Sequence, residues 1–330
     1  MKKIFLMMAA AIFTAGSLKA QTYVLDKTIP LTGDAGYDYV SIDMPNDRLY
    51  VSHGTMVNVV DLKTEQQVGV IGDLKGIHGI AIAHKSNRGF ISDGRATAVV
   101  AFDLTTLKTI ATITVSNAGP DGIIYDPYSD QVFCFNGDSN SASVIDPNTL
   151  KQVGTVDLGG APEFAVADGE GKIYNNLEDK SSLNVIDTKT LKVISNYPLA
   201  PCGGPTGIAL DKADNRIFSV CRQNKGMSVV DATSGKVITT LPIGAGVDAV
   251  CYDPQTKLIF CSCGDGTTTI IKQQSADAYS VIQTLATSLR AKTMALDTRT
   301  HKIYLSVADF EPGTRKVLPN SFKVLVYKMQ

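Results

Sequence analysis

A turn-and-strand pattern that recurs seven times, four short strands in each recurrence, and chain ends that together complete one unit predict an all-β fold for these 330 residues. The prediction is a seven-bladed β-propeller of four-stranded antiparallel blades. Aligned on the residue before the first strand of each unit, the repeats start at Asp38, His78, Asp121, Glu163, Thr206, Asp248 and Lys292, with spacings of 40, 43, 42, 43, 42 and 44. An aspartate then opens the first turn at Asp43, Asp126, Asp168, Asp211, Asp253 and Asp297, and unit two departs with Ala83. The second strand carries an aromatic at Tyr50, Phe90, Phe133, Tyr174, Phe218, Phe260 and Tyr304. The third strand ends in turns such as "VIDPNTLKQVG", where Asp146, Asp187 and Asp231 can accept the backbone N–H groups of the turn.

The last unit stops after "FKVLVYKMQ", its third strand, while the N-terminal "LDKTIPLTGDAGYDY" matches the fourth-strand pattern of "LKQVGTVDLGGAPEF". The N-terminal strand is therefore expected to join the C-terminal blade and close the ring, leaving no strand without a partner. Residues 21–330 would form one domain.

The units resemble those of YVTN-type β-propellers, the YncE-like family of exported seven-bladed propellers. The resemblance covers 23–330 and rests on a Gly-Pro-x-Gly opening, the Asp turn and the Asp-x-x-Thr-x-Lys turn. The tetrapeptide itself survives in weakened form as "YVSH" (50–53), "FISD" (90–93) and "YLSV" (304–307). WD40 repeats depend on tryptophan, and this chain has none. The resemblance implies a fold more than a function, since the family and its near relatives include binding proteins, cell-surface proteins and a few enzymes.

Lys2 and Lys3, the apolar run "IFLMMAAAIFTAG" and a small residue at Ala20 make residues 1–20 a secretory signal peptide, too short to span a bilayer. The expected location is the periplasm or the outside of the cell. Lys2, Lys3 and Lys19 leave with the leader and no acid does, so the formal charge falls by three from −1. A mildly acidic chain without a Lys/Arg cluster is a poor nucleic-acid binder. No CxxCH and no phosphate loop occur, so neither haem nor nucleotide is expected. A monomer is expected.

In such a fold the seven landmark residues surround the mouth of the central channel. Lys292 falls between Asp248 and Asp38 once the circle closes, which an ion network explains. His78, Asp121 and Glu163 stand on three consecutive units without a cation, a set that offers acid/base groups or ligands for a divalent metal ion. The second strands end on the same face, adding His53 and Asp93. Between Ser306 and Tyr327 the last unit holds an excursion, "ADFEPGTRKVLPNS", whose Phe310, Glu311, Arg315 and Lys316 could lean over the mouth. The candidate ligand-binding residues are thus Asp38, His78, Asp121, Glu163, Thr206, Asp248, Lys292, His53, Asp93 and Arg315. Cys202 leads into the fifth unit and Cys221 ends its second strand, so the two can meet as a disulfide or stand as buried thiols.

The leading functional expectation is a binding or interaction module with a small molecule or protein at the mouth. The alternatives are a hydrolase or lyase, lactonase-like by shared architecture, using His78, Asp121 and Glu163, and a structural protein of the cell envelope. No Ser-His-Asp arrangement or nucleophile motif supports covalent catalysis.

Overall fold

The computed structural model describes residues 22–33, 36–314 and 316–330; the signal peptide expected at residues 1–20 and Arg315 lie outside them. Seven four-stranded antiparallel sheets stand around a central axis. Their innermost strands are Tyr37–Asp43, Ile77–Ala83, Pro120–Asp126, Pro162–Ala167, Pro205–Asp211, Val247–Asp253 and Met294–Asp297, numbered here as blades 1 to 7. Within blades 1 to 6 the four strands run outward in chain order. Blade 7 takes its outermost strand, Tyr23–Pro30, from the N-terminus, paired antiparallel with the C-terminal strand Lys323–Met329. Tyr23 is buried and meets Phe260 of blade 6 edge-on at 4.9 Å between ring centroids, so the closing strand is packed as well as hydrogen-bonded.

The burial of each strand follows from its distance to the axis. Second and third strands are covered on both faces by neighbouring blades and read as continuous apolar runs, such as Leu49–Val51 and Ala98–Phe102. The second-strand aromatics Tyr50, Phe90, Phe133, Tyr174, Phe218, Phe260 and Tyr304 all lie in this layer. Fourth strands have one free face, and their residues alternate between covered and exposed, as in Lys151–Asp157. The turn aspartates work as their position suggests. Asp187 Oδ1 accepts the N–H groups of Lys189 (3.1 Å) and Thr190 (2.7 Å), and Asp231 Oδ1 those of Thr233 (3.2 Å) and Ser234 (2.8 Å). Those bonds favour the ionised carboxylate and hold Asp187 and Asp231 below the usual range.

The third letter of the weakened tetrapeptide joins one blade to the next. Ser92 Oγ accepts the Gly79 N–H of its own blade (2.8 Å) and donates to the carbonyl of Asp121 in blade 3. Asn176 Nδ2 reaches the Thr206 carbonyl of blade 5 (2.8 Å), and Ser262 Oγ that of Lys292 at the start of blade 7. Across the closing junction Thr293 Oγ1 donates to the Asp38 carbonyl (2.7 Å), with Ser306 Oγ 3.0 Å from Thr293 Oγ1. Each of the bonds to a carbonyl ends on the backbone of a mouth residue, so the packing of the blades sets where the mouth side chains start.

Ser92 is fully buried. Ser92→Ala would strand the Gly79 N–H and the Asp121 carbonyl, and we expect it to lower the unfolding free energy by about 1–3 kcal/mol. Urea denaturation followed by circular dichroism measures this, and an unchanged midpoint would remove the bond from any stabilising role.

Candidate functional site

Asp38, His78, Asp121, Glu163, Thr206 and Asp248 are each the second residue of an inner strand, and Lys292 lies two residues ahead of the seventh. Their side chains do not form a uniform ring. His78 Nδ1 lies 2.8 Å from Asp38 Oδ2 and 3.6 Å from Asp121 Oδ1. One ligating atom from each of these three residues falls within 4.8 Å of the others. The Asp38 hydrogen bond raises the His78 pKa above its ordinary value, against the opposing pull of burial. Burial pushes the Asp121 carboxyl up to about 6, with the His78 charge working the other way. Asp121 Oδ1 is itself buried and has no hydrogen-bond partner.

Glu163 was expected beside His78 and Asp121 with no cation near; it stays within range of the Asp121 charge but outside the His78 cluster, and a cation stands beside it. It belongs to the opposite half of the mouth, where Arg222 lies 3.9 Å from Glu163 Oε1 and 3.0 Å from Glu178 Oε1 and pairs closely with Asp248. Lys292 bridges Asp248 and, at 3.8 Å, Asp38, so the expected Asp–Lys–Asp network is present. Burial first, and then the hydrogen bond with Glu178, push the Glu163 carboxyl far above the usual range. Glu163 therefore holds its proton to a higher pH than an ordinary glutamate does.

Three other candidates have different work. Thr206 is buried, and its hydroxyl donates to the Val247 carbonyl (3.3 Å). His53 is buried against Phe322, their ring centroids 3.8 Å apart, with Nδ1 3.1 Å from the Thr32 carbonyl. Asp93 is buried and accepts the N–H groups of Lys75 and Gly76, each at 2.9 Å. None of the three offers a free polar group to the channel. Cys202 and Cys221 are joined in a disulfide, their Cα atoms 5.4 Å apart.

Four site residues escaped the sequence reading, although the repeat carries their signal. The position after each second strand is Gly54, Gly94, Gly137, Gly264 or Ala308 in five units but Glu178 and Arg222 in blades 4 and 5. Those two exceptions place long charged side chains over the mouth. The position after each landmark is Gly79, Gly122, Gly207, Ala249 or Thr293 in five units but Tyr39 and Phe164 in blades 1 and 4. Those rings meet across the channel, stacked with centroids 5.1 Å apart. Burial, followed by the charges of Asp121, Glu163, Asp38 and Asp248, keeps Tyr39 a neutral phenol. The mouth is thus a polar cup on an aromatic floor, with an apolar space of about 300 Å³ beside the floor, along Val40, Val250, Cys251 and Met294.

No family model matches the sequence. A curated relative, Antigen Lp49 of Leptospira interrogans, is 26% identical over 185 residues, which is 54% of this chain and 40% of the relative. The chain thus spans about two fifths of that protein's length. Among solved structures, Kuenenia stuttgartiensis hydrazine synthase superposes with a TM-score of 0.73 at 14% identity, covering 89% of this chain and 96% of that one. U3-55K gives 0.77 at 9% identity over 91% and 97% of the two chains. A chain of the mitotic checkpoint complex gives 0.76 at 11% over 99% and 98%. At these identities the likeness is one of fold, and it agrees with the seven-bladed ring. It does not establish the narrower YVTN or YncE-like grouping.

The raised Glu163 pKa fixes the sign of one pH effect. The unfolded chain releases this proton near 4.5 and the folded chain only at much higher pH, so native stability falls as pH rises through that interval. Glu163→Gln keeps a donor for Glu178 and removes the titration. We expect the variant to match the native protein near pH 4 and to be the more stable of the two near pH 8, as read from urea midpoints across that range. A parallel pH dependence in both proteins would contradict the assignment.

Proposed function

We propose that this chain is an exported binding protein that takes its ligand at the channel mouth, with a divalent cation held by Asp38, His78 and Asp121 as the anchor of that site. The observation that carries the reading is the convergence of three ligating atoms within 4.8 Å, one of them from Asp121, whose Oδ1 is buried, accepts no hydrogen bond and lies 3.6 Å from His78 Nδ1. One imidazole nitrogen with two carboxylates suits first-row divalent ions such as Mn²⁺, Fe²⁺ or Zn²⁺. The Tyr39–Phe164 floor supports binding over passage, because it closes the cup beneath the polar groups. Export is supported by the leader sequence of residues 1–20 and by the Cys202–Cys221 disulfide, which suits an oxidising compartment.

A second reading, a hydrolase or lyase, is favoured by the raised pKa values of Glu163 and Asp121, since carboxyl groups that hold their protons toward neutral pH can act as general acids. In that reading Asp121 and Glu163 act from opposite halves of the mouth, with Arg222 orienting Glu163. The structural-protein alternative requires no ligand at all.

Elemental mass spectrometry on purified residues 21–330, followed by calorimetric titration with Zn²⁺ and Mn²⁺, tests the anchor. The native protein is expected to take about one equivalent, and a His78→Ala/Asp121→Ala variant of the same stability to take none. Equal uptake by both proteins, or no binding by either, would refute the metal anchor.

A further inference from the structure

We propose a second site, for a small organic carboxylate with a planar apolar body, in the recess of about 970 Å³ beside the mouth, between blades 5, 6, 7 and 1. Its walls carry Arg222, Arg290 and Lys292, the rings of Tyr37 and Phe310, and the side-chain-free backbone of Gly246 and Gly264. Arg290 is the centre of the argument. Its guanidinium lies 4.0 Å from the Phe310 ring centroid, and its Nη2 donates to the Thr314 carbonyl (2.9 Å). The group is therefore held in one plane by stacking and, among the described residues, by one side-chain hydrogen bond, with its further N–H donors not taken by any of them.

No carboxylate among the described residues pairs with it. The nearby acids are already engaged. Asp309 holds Lys323 (2.7 Å), Glu311 holds Lys316 (2.6 Å), and Asp265 accepts the N–H groups of Ala245 (2.6 Å) and Thr267 (3.1 Å). A planar, unpaired guanidinium on an aromatic face is preorganised for a bidentate carboxylate. Arg222 and Lys292 also stand at the inner end of the recess, but their charge is spent on Asp248, Glu178 and Asp38, which leaves Arg290 as the cation for a ligand.

The apolar body follows from the aromatic walls. Tyr37 and Phe310 stand 6.4 Å apart between centroids at an interplanar angle of 51°, with Tyr37 stacked on Phe322 behind it. Tyr37 is anchored from the other end, its hydroxyl donating to the Arg290 carbonyl (3.0 Å). The Phe310–Val317 bridge folds the blade 7 excursion into a small hairpin, so Phe310 is presented on a braced segment. The recess thus combines one fixed cation and two fixed ring edges, the elements that recognise an aromatic acid.

This site does not depend on the cation at Asp38, His78 and Asp121, and the test keeps the two apart. Benzoate and its neutral analogue benzamide would be titrated into residues 21–330 and followed by ligand-observed and protein-observed NMR. Benzoate is expected to bind with a Kd of about 1 mM, an ordinary value for so small a ligand, and benzamide at least tenfold more weakly. Arg290→Gln should weaken benzoate at least tenfold, Phe310→Leu should weaken it severalfold, and Asp121→Asn should leave it unchanged. Equal binding of benzoate and benzamide, undiminished benzoate binding to Arg290→Gln, or no saturable benzoate binding to the native protein would each overturn the proposal. Loss of benzoate binding in Asp121→Asn would move the carboxylate to the mouth cation and overturn it as well.

Discussion

The close approach of neighbouring inner strands governs this molecule. A β-carbon added at Gly79 would stand 2.9 Å from Ile123 Cγ2, and one at Gly207 would stand 2.7 Å from the Asp248 carbonyl oxygen. The blades therefore meet backbone to backbone at the axis, and the carbonyl groups there face a neighbour rather than water. Buried carbonyls need donors, and at several junctions a hydroxyl or amide from the second strand supplies one. Ser92, Asn176 and Ser262 meet that demand, and Thr293 meets it at the closing junction. The serine in the weakened tetrapeptides has a structural reason in this requirement.

The same geometry sets up the electrostatics of the mouth. Inner strands so tightly packed bring their second residues close together, and the four acids among them, Asp38, Asp121, Glu163 and Asp248, would repel one another in a half-buried setting without compensation. The compensation comes in three forms. Lys292 and Arg222 supply charge from the ring and from a hairpin above it, His78 shares a proton with Asp38, and burial holds the Glu163 proton to higher pH than an ordinary carboxyl. These are local solutions at different points of the circle, which is why the mouth has a His–Asp–Asp side and an arginine–lysine side.

Much of the architecture was legible in the sequence because a repeat reports the same physical demand seven times. Turn aspartates and buried second-strand aromatics can be read from one unit and checked on the others, and the strand shared between the chain ends shows as the piece missing from the last unit. The side-chain partners at the mouth were harder to read. Glu163 aligns with His78 and Asp121 in the repeat, but its neighbours are set by Arg222, a residue from a different unit and a different position within it. His53 and Asp93 end strands on the mouth-bearing face, as expected. Yet His53 is covered by Phe322, which the excursion of blade 7 carries in, and Asp93 is taken by the backbone of the connection before blade 2. Register along the chain cannot tell which polar end group will be capped by its own surroundings.

The departures from the repeat point further than the repeat itself. At the position after each second strand, a residue larger than alanine is unnecessary for the fold, since Gly94 and Gly264 build the same hairpin with no side chain at all. Glu178 and Arg222 therefore answer a need of the mouth and not of the blade. The argument extends to Tyr39 and Phe164. Five blades keep this position small because the adjacent strand is so close, and two diametrically placed blades break the rule together. Either ring alone would project into an open channel, where an exposed aromatic is poorly accommodated. Paired, each covers the other, and the channel gains a floor. The polar mouth then sits over a pair of stacked rings instead of over open backbone. The chemistry of the cup then depends on the few charged groups above that floor, each of them a place where one blade differs from the rest.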